Sequence, residues 1–173
     1  MDESGFMLQP LVRRTWAPRG QTPLLRQWER HDRLSVASVL TVAPRRRRLG
    51  LYWRMQPKNI RAVDLVHFLR SLRRHLRRPL VLILDRWSVH KAAAMGAYLR
   101  RHRRHLQVEW LPSYAPELNP TEQVWNHVKY AELPNATPDD LEELAGSVGG
   151  SLLRQRGQSQ LLRSFFQTAR LRL

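Results

Sequence analysis

Residues 80–85 read Leu80-Val81-Leu82-Ile83-Leu84-Asp85. Five aliphatic side chains in a row leave no position for a solvent-facing side, so the run reads as a strand buried on both faces at the centre of a sheet. Pro79 stops whatever precedes it. Asp85 then falls at the carboxyl edge of that strand, where open α/β sheets gather their ligands. A turn cap or an ion pair with an arginine accounts for an Asp at such a place equally well.

Working outward, residues 58–78 carry apolar side chains at Ile60, Val63, Val66, Leu69, Leu72 and Leu76. That spacing predicts a helix with one buried stripe, ended by Pro79. Upstream, residues 34–43 (LSVASVLTVA) and 48–55 (RLGLYWRM) predict two strands joined by the turn at 44–47. Residues 7–23 hold Trp16, Pro18, Gly20 and Pro23, the marks of a hairpin or an irregular loop. Downstream, residues 90–104 predict a second helix with a basic carboxyl end. Residues 106–111 (LQVEWL) predict another strand, and 113–120 a loop. A helix should start at Pro120 with Asn119 as its cap, another after Thr137-Pro138-Asp139-Asp140, and a last one within 159–171. Strands first, then helices alternating with strands, then helices, predict an α/β fold: a mixed sheet flanked by helices.

The chain has 173 residues, about one domain, and 42% of them are hydrophobic, enough for a packed core. No run approaches the ~20 apolar residues of a membrane-spanning helix. The sequence begins Met1-Asp2-Glu3, unlike a secretory signal. With no cysteine, disulfides, thiolate metal sites and thiol nucleophiles are excluded. A cytoplasmic location is the simplest expectation.

Lys and Arg number 30 against 14 Asp and Glu, a net charge of +16. Such an excess points to a polyanion, nucleic acid first, because each neutralised phosphate releases counterions. The arginines are clustered: Arg45, Arg46, Arg47 and Arg48 are consecutive, Arg73, Arg74, Arg77 and Arg78 form a second group, and Arg100, Arg101, Arg103 and Arg104 a third. A generally arginine-rich composition is the bland account, and clustering weighs against it.

In so basic a chain each acid is informative. Glu122 takes the third helical position after Asn119, where a capping box would use it for structure alone. Asp2 and Glu3 open the chain, where a frayed terminus is the ordinary outcome. Trp125 on the same helix as Glu122 reads as core.

Four stretches are more specific together than singly: DESGF (2–6), RTWAPRGQTP (14–23), LILDRWSVHKA (82–92) and LPSYAPELNPTEQVWNHVK (111–129). They strongly resemble the transposase domain of bacterial insertion sequences in the mariner superfamily. The resemblance spans nearly the whole chain, and the last motif argues against another nuclease of the same fold, such as a junction resolvase. It implies a ribonuclease H-like fold over residues 1–173 and a three-acid site made of Asp2, Asp85 and Glu122, with 36 residues between the last two. It also implies two Mg²⁺ or Mn²⁺ ions held by those acids, and DNA, both element ends and target, as partner. Transposases of this kind often work as homodimers. His90 matches a family histidine and lines the site, either touching substrate or bracing the helix start. Asn119 shapes the turn that presents Glu122, and Lys129 joins Arg45–Arg48, Arg73, Arg74, Arg100 and Arg101 as candidate nucleic-acid contacts.

The sequence also departs from that family. Only Met1 precedes Asp2, so the first strand is expected to be truncated and Asp2 poorly held. The helix-turn-helix modules are absent, which suggests a fragment or one product of a split reading frame. Arg86 stands where the family usually has Asn, and an Arg there could pair with Asp85 and compete with metal. The alternative function is a catalytically inactive remnant that binds nucleic acid non-specifically.

Overall fold

A computed structural model describes residues 1–25, 32–113 and 115–173; Tyr114, in the expected 113–120 loop, lies outside the described residues. The first three strands are β1 (Asp2–Met7), β2 (Arg33–Val42) and β3 (Leu49–Gln56), an antiparallel meander in that order. Asp2 stands opposite Ser38 and Met7 opposite Arg33, while Val42 stands opposite Leu49 and Ser35 opposite Gln56. The expected turn closes through Ala43 N to Arg48 O (2.9 Å), with Arg46 in the left-handed region. Residues 9–25 form an irregular stretch with one turn, in which Gln21 N bonds Pro18 O and Gly20 supplies the positive φ of 83°.

Helix α1 (Ala62–Leu76) leads to β4 (Leu80–Leu84), and α2 (Ala93–Arg101) to β5 (Leu106–Trp110). The two strands pair in parallel, Leu80 opposite Leu106, as expected of helical crossovers. Met1 N donates to Ile83 O (3.1 Å) and sets the start of β1 beside β4. The chain ends in α3 (Pro120–His127), a single wider turn over Val128–Glu132, α4 (Leu141–Gly157) and α5 (Ser159–Thr168). The caps read from sequence are present. Asn119 Oδ1 accepts from Thr121 N (3.1 Å), and Asp140 Oδ1 accepts from Glu143 N (2.8 Å).

The strands form two sheets, the three-stranded β1–β2–β3 and the two-stranded β4–β5, joined side by side through the Met1–Ile83 bond, and two cores flank them. On one side Met1, Ala37, Val39, Leu82 and Leu84 pack with Leu65, Leu69 and Leu72 of α1 and Met95 of α2. On the other, Phe6, Leu34, Val36 and Leu51 pack with Val124, Trp125, Val148, Leu152, Leu162 and Phe165 of α3–α5. Each fully buried leucine contributes roughly 1.5–3 kcal/mol relative to exposure.

Three expectations need correction. The strand covered on both faces is β2, whose residues 34–39 are all buried. In β4, Leu82 and Leu84 are buried but Val81 and Ile83 are 62% and 49% exposed. Helices α3–α5 pack over β1–β3 and leave that side of β4 uncovered; hydropathy reports affinity for a core, not how many helical layers reach the strand. Likewise the α1 stripe is Leu65, Phe68, Leu69 and Leu72, rotated from the expected one so that Val63 is exposed. The second helix starts at Ala93 rather than 90, because residues 87–92 make successive tight turns, His90 N to Trp87 O and Lys91 N to Ser88 O.

Candidate active site

Alternation along β1 divides its side chains between the two faces of the sheet. Asp2, Ser4 and Phe6 point towards α3, whereas Glu3 points towards the side of α1 and α2. Asp2 is 6% exposed, and its Oδ2 accepts from the indole Nε1 of Trp125 (2.9 Å). The expectation of a poorly held Asp2 is therefore not met: β1 pairs with β2 along its length, and Trp125 fixes the carboxyl group. Trp125 is core, as read, with its edge against Phe6, but it is also the hydrogen-bond donor to the first acid, a role its sequence position did not signal. Burial, then the neighbouring carboxylates of Glu122 and Glu3, push the Asp2 carboxyl up to about 7.

Asp85 follows β4 directly. Its Oδ1 accepts from Trp87 N (3.0 Å) and lies 2.7 Å from His90 Nδ1. The other ring nitrogen of His90, Nε2, lies 3.1 Å from Glu3 Oε1. His90 is buried beneath the edge of the Trp87 ring and joins the two carboxylates. Burial works against its charge, but the Glu3 and Asp85 carboxylates outweigh burial and raise its pKa. His90 thus lines the site by holding an acid; Glu3, read from sequence only as part of a terminus expected to fray, is its second partner. The suggested Arg86–Asp85 pair does not form: Arg86 Nε donates to Leu111 O instead (3.2 Å).

Glu122 projects from the first turn of α3. It does not serve as a capping-box residue, because the Asn119 N–H goes to Pro116 O (2.9 Å). Burial raises its pKa, Lys129 pulls it down and Asp85 pushes it up. Asn119 is buried with its side chain committed to the helix cap. Lys129, expected on a nucleic-acid surface, sits instead among the acids. Its Nζ donates to Ser4 Oγ (2.8 Å) and lies over the Phe6 ring. Burial lowers its pKa, opposed by Glu122.

The three acids therefore belong to one electrostatic neighbourhood, Asp2 sensing Glu122 and Glu122 sensing Asp85. Among the described residues, no group of three His, Asp or Glu side chains is arranged closely enough to enclose a metal ion. The donors nevertheless suit one in kind: they are carboxylates, the oxygen ligands that Mg²⁺ takes. Ser38 Oγ, cross-strand from Asp2 and fully buried, has no hydrogen-bond partner among the described residues. The clustered arginines lie away from these acids. The run at 45–48 occupies the β2–β3 turn, and the other two groups occupy the carboxyl ends of α1 and α2.

The DDE superfamily endonuclease family matches residues 1–145, and the chain belongs to that family. Its fold is ribonuclease H-like, as solved structures also show. The "Mos1 transposase paired-end complex with left transposon end" aligns with a TM-score of 0.67 at 16% identity, covering 98% of this chain and 50% of that one. The "Mos1 mariner paired end complex with Mn" gives 0.66 at 15% identity, over 98% of this chain and 50% of that one. The "Mos1 Strand Transfer Complex" gives 0.65 at 16% identity, over 97% and 49%. This chain spans about half the length of the structures it matches. No curated protein matches it. No helix among the described residues is long and apolar enough to cross a membrane.

Proposed function

We propose that the chain is the catalytic domain of a transposase that cuts and rejoins DNA strands, with Asp2, Asp85 and Glu122 as its catalytic acids. What supports this reading is that a chain of the DDE endonuclease family places a buried Asp on β1, an acid at the end of β4 and an acid in α3's first turn, with Asp2 feeling Glu122 and Glu122 feeling Asp85. The three acids would hold two Mg²⁺ or Mn²⁺ ions, and a Mos1 neighbour was solved with Mn. Such ions, when bound, stabilise the attacking and leaving oxygens of an in-line displacement at phosphorus.

The protein's own groups prepare that reaction. Trp125 and His90 fix Asp2 and Asp85, so their carboxylates need no reorganisation when charge develops. Lys129 offsets part of the negative charge of Glu122 and Asp2. In the first step water attacks the phosphorus, the P–O3′ bond breaks, and a 3′-hydroxyl is freed. In the second, that hydroxyl attacks a phosphorus of target DNA, and the target's own 3′-oxygen leaves. We further propose DNA element ends and target as substrates, a homodimer as the working assembly, and the cytoplasm of a bacterial cell, at its nucleoid, as the location.

A non-cleaving DNA-binding remnant draws its support from the absence of a closed three-ligand cluster among the described residues. Nicking of supercoiled plasmid with Mg²⁺ or Mn²⁺ separates the two readings. The catalytic reading requires nicking by the parent chain that Asp85→Ala and Glu122→Ala abolish. Equal nicking by all three, or none by the parent, refutes it.

A further inference from the structure

The three arginine groups are far apart in sequence, and the topology gathers them at one end of the molecule. Helix α1 begins beside the end of β3, where Asp64 Oδ2 accepts from Gln56 Nε2 (3.2 Å). It finishes beside Tyr52 in the first half of β3, whose ring lies 5.2 Å from that of His75. The carboxyl end of α1 therefore lies at the end of the meander that holds the 44–47 turn. Helix α2 is tied to α1 there, Arg73 Nη1 donating to Tyr98 Oη (3.3 Å). Leu80 N donates to His105 O (2.9 Å), so the turn after α2 reaches the same edge. Strand β4 leaves this end at Leu80 and delivers Asp85 at the other, five residues or about 17 Å away.

Charge is segregated along the same axis. Between residues 33 and 108 the only acids are Asp64, at the start of α1, and Asp85; beyond Glu143 there is none. Among the described residues, ion pairs involve only His90, His127 and Arg154 as cations. The arginines of this pole, Arg73 excepted, are exposed, and among the described residues none takes part in an ion pair. Among the described residues the exposed Trp and Tyr side chains, Trp16, Trp87, Trp110 and Tyr130, lie elsewhere, on the irregular loop, beyond β4, at the end of β5 and after α3, and the exposed rings at this pole are the small imidazoles of His75 and His105. Single-strand binding relies on large aromatic rings for base stacking, whereas a duplex presents phosphates to guanidinium forks.

We infer that the pole opposite the acids is a separate, sequence-independent seat for double-stranded DNA, gripping the backbone about five base pairs from the phosphate undergoing reaction. The inference rests on the DNA reading above and adds a second surface to it.

The test uses the full chain and a fluorescent duplex of about 30 base pairs, with anisotropy titrations over roughly 50–300 mM KCl. Combining Arg74→Ala, Arg78→Ala, Arg101→Ala and Arg104→Ala should reduce the slope of log affinity against log salt by about 3–4. Combining Arg14→Ala, Arg19→Ala, Arg54→Ala and Lys58→Ala removes the same charge elsewhere and should change the slope by less than about 1. Equal reductions in the two variants overturn the seat. So does better competition by double-stranded RNA or by anionic phospholipid vesicles than by duplex DNA. Should the fourfold pole variant misfold, Arg101→Cys decides, because the chain has no other cysteine. An iron chelate tethered there should cut bound duplex, and absence of cutting refutes the seat. If the parent binds in this way yet never nicks, the seat stands and the catalytic reading falls.

Discussion

Asp2→Asn tests the buried acid directly, because Asn keeps its shape and an oxygen for Trp125 Nε1. The folded-state pKa of Asp2 is pushed from 3.8 up to about 7, so between those values the folded chain binds a proton that the unfolded chain has released. Metal-free stability must then fall as pH rises through this window. At 1.36 kcal/mol per unit, a rise of about three units corresponds to roughly 4 kcal/mol lost by the time pH exceeds 7. About 3 kcal/mol of this falls between pH 5 and 7, a large share of the roughly 5–15 kcal/mol that holds a domain together. For a chain of this size it lowers the melting temperature by about 6–12 °C. The raised pKa values of Glu122 and His90 act in the same direction, so only the difference between parent and variant isolates Asp2. Urea titrations read by tryptophan fluorescence, in EDTA at pH 5, 6, 7 and 8, provide the measurement. The parent should lose stability steeply; Asp2→Asn should lose much less and overtake the parent above pH 7. Parallel curves for the two proteins would show that Asp2 is not charged against its surroundings, and would refute the reasoning.

Trp125→Phe keeps the aromatic packing on Phe6 and deletes the indole donor to Asp2. A hydrogen bond to a charged carboxylate contributes roughly 1.5–3 kcal/mol, so the pH at which plasmid nicking reaches half its maximum should rise by about one to two units. Arg86→Asn restores the residue usual in the resembled family but removes only a contact to Leu111 O. Nicking should stay within about twofold of the parent, a change of under roughly 0.5 kcal/mol in barrier, and a tenfold gain would show that Arg86 obstructs Asp85 after all. Leu82→Ala and Val81→Thr are adjacent on one strand, yet the first should cost roughly 2–5 kcal/mol in urea titrations and the second under about 0.5, since Val81 faces outward. Similar losses would show that both faces of β4 are packed.

The fold was legible wherever one local rule sufficed. Residues 34–43 and 48–55 carry strand composition on either side of a Pro-started turn, and the register follows from the length of that turn. Asn119-Pro120 and Asp139-Asp140 start helices because each motif supplies an acceptor for an orphan N–H group. Depth was not legible. Leu80–Leu84 is as apolar as a strand can be, but which of its faces is covered depends on where α3–α5 come to rest. That is decided by Trp125, Val148, Leu152 and Phe165 packing on β1–β3. The α1 stripe was misplaced for a related reason. Val63 and Val66 fit a three-and-four spacing as well as Leu65 and Phe68 do, and the larger side chains took the interior.

The candidate site shows what spacing leaves out. Asp2 and Glu3 are neighbours in sequence, and a strand sends neighbours to opposite faces of its sheet, so an acid pair that reads as one feature divides into two. Asp2 turns to α3 and joins Trp125 and Glu122; Glu3 turns to the other side and meets His90, which carries the contact across to Asp85. A motif places Asp85 and Glu122 along the chain, but only the register Asp2–Ser38 determines which acid of β1 faces the helix that bears Glu122. Shifted by one residue, the same sequence would direct Glu3 towards Trp125 and leave Asp2 to His90. Phe6 guards against that shift: it shares the parity of Asp2, and its ring packs on Trp125 in the core beneath α3. The apolar pattern of β1, rather than any property of the acids themselves, thus selects which carboxylate becomes the buried one.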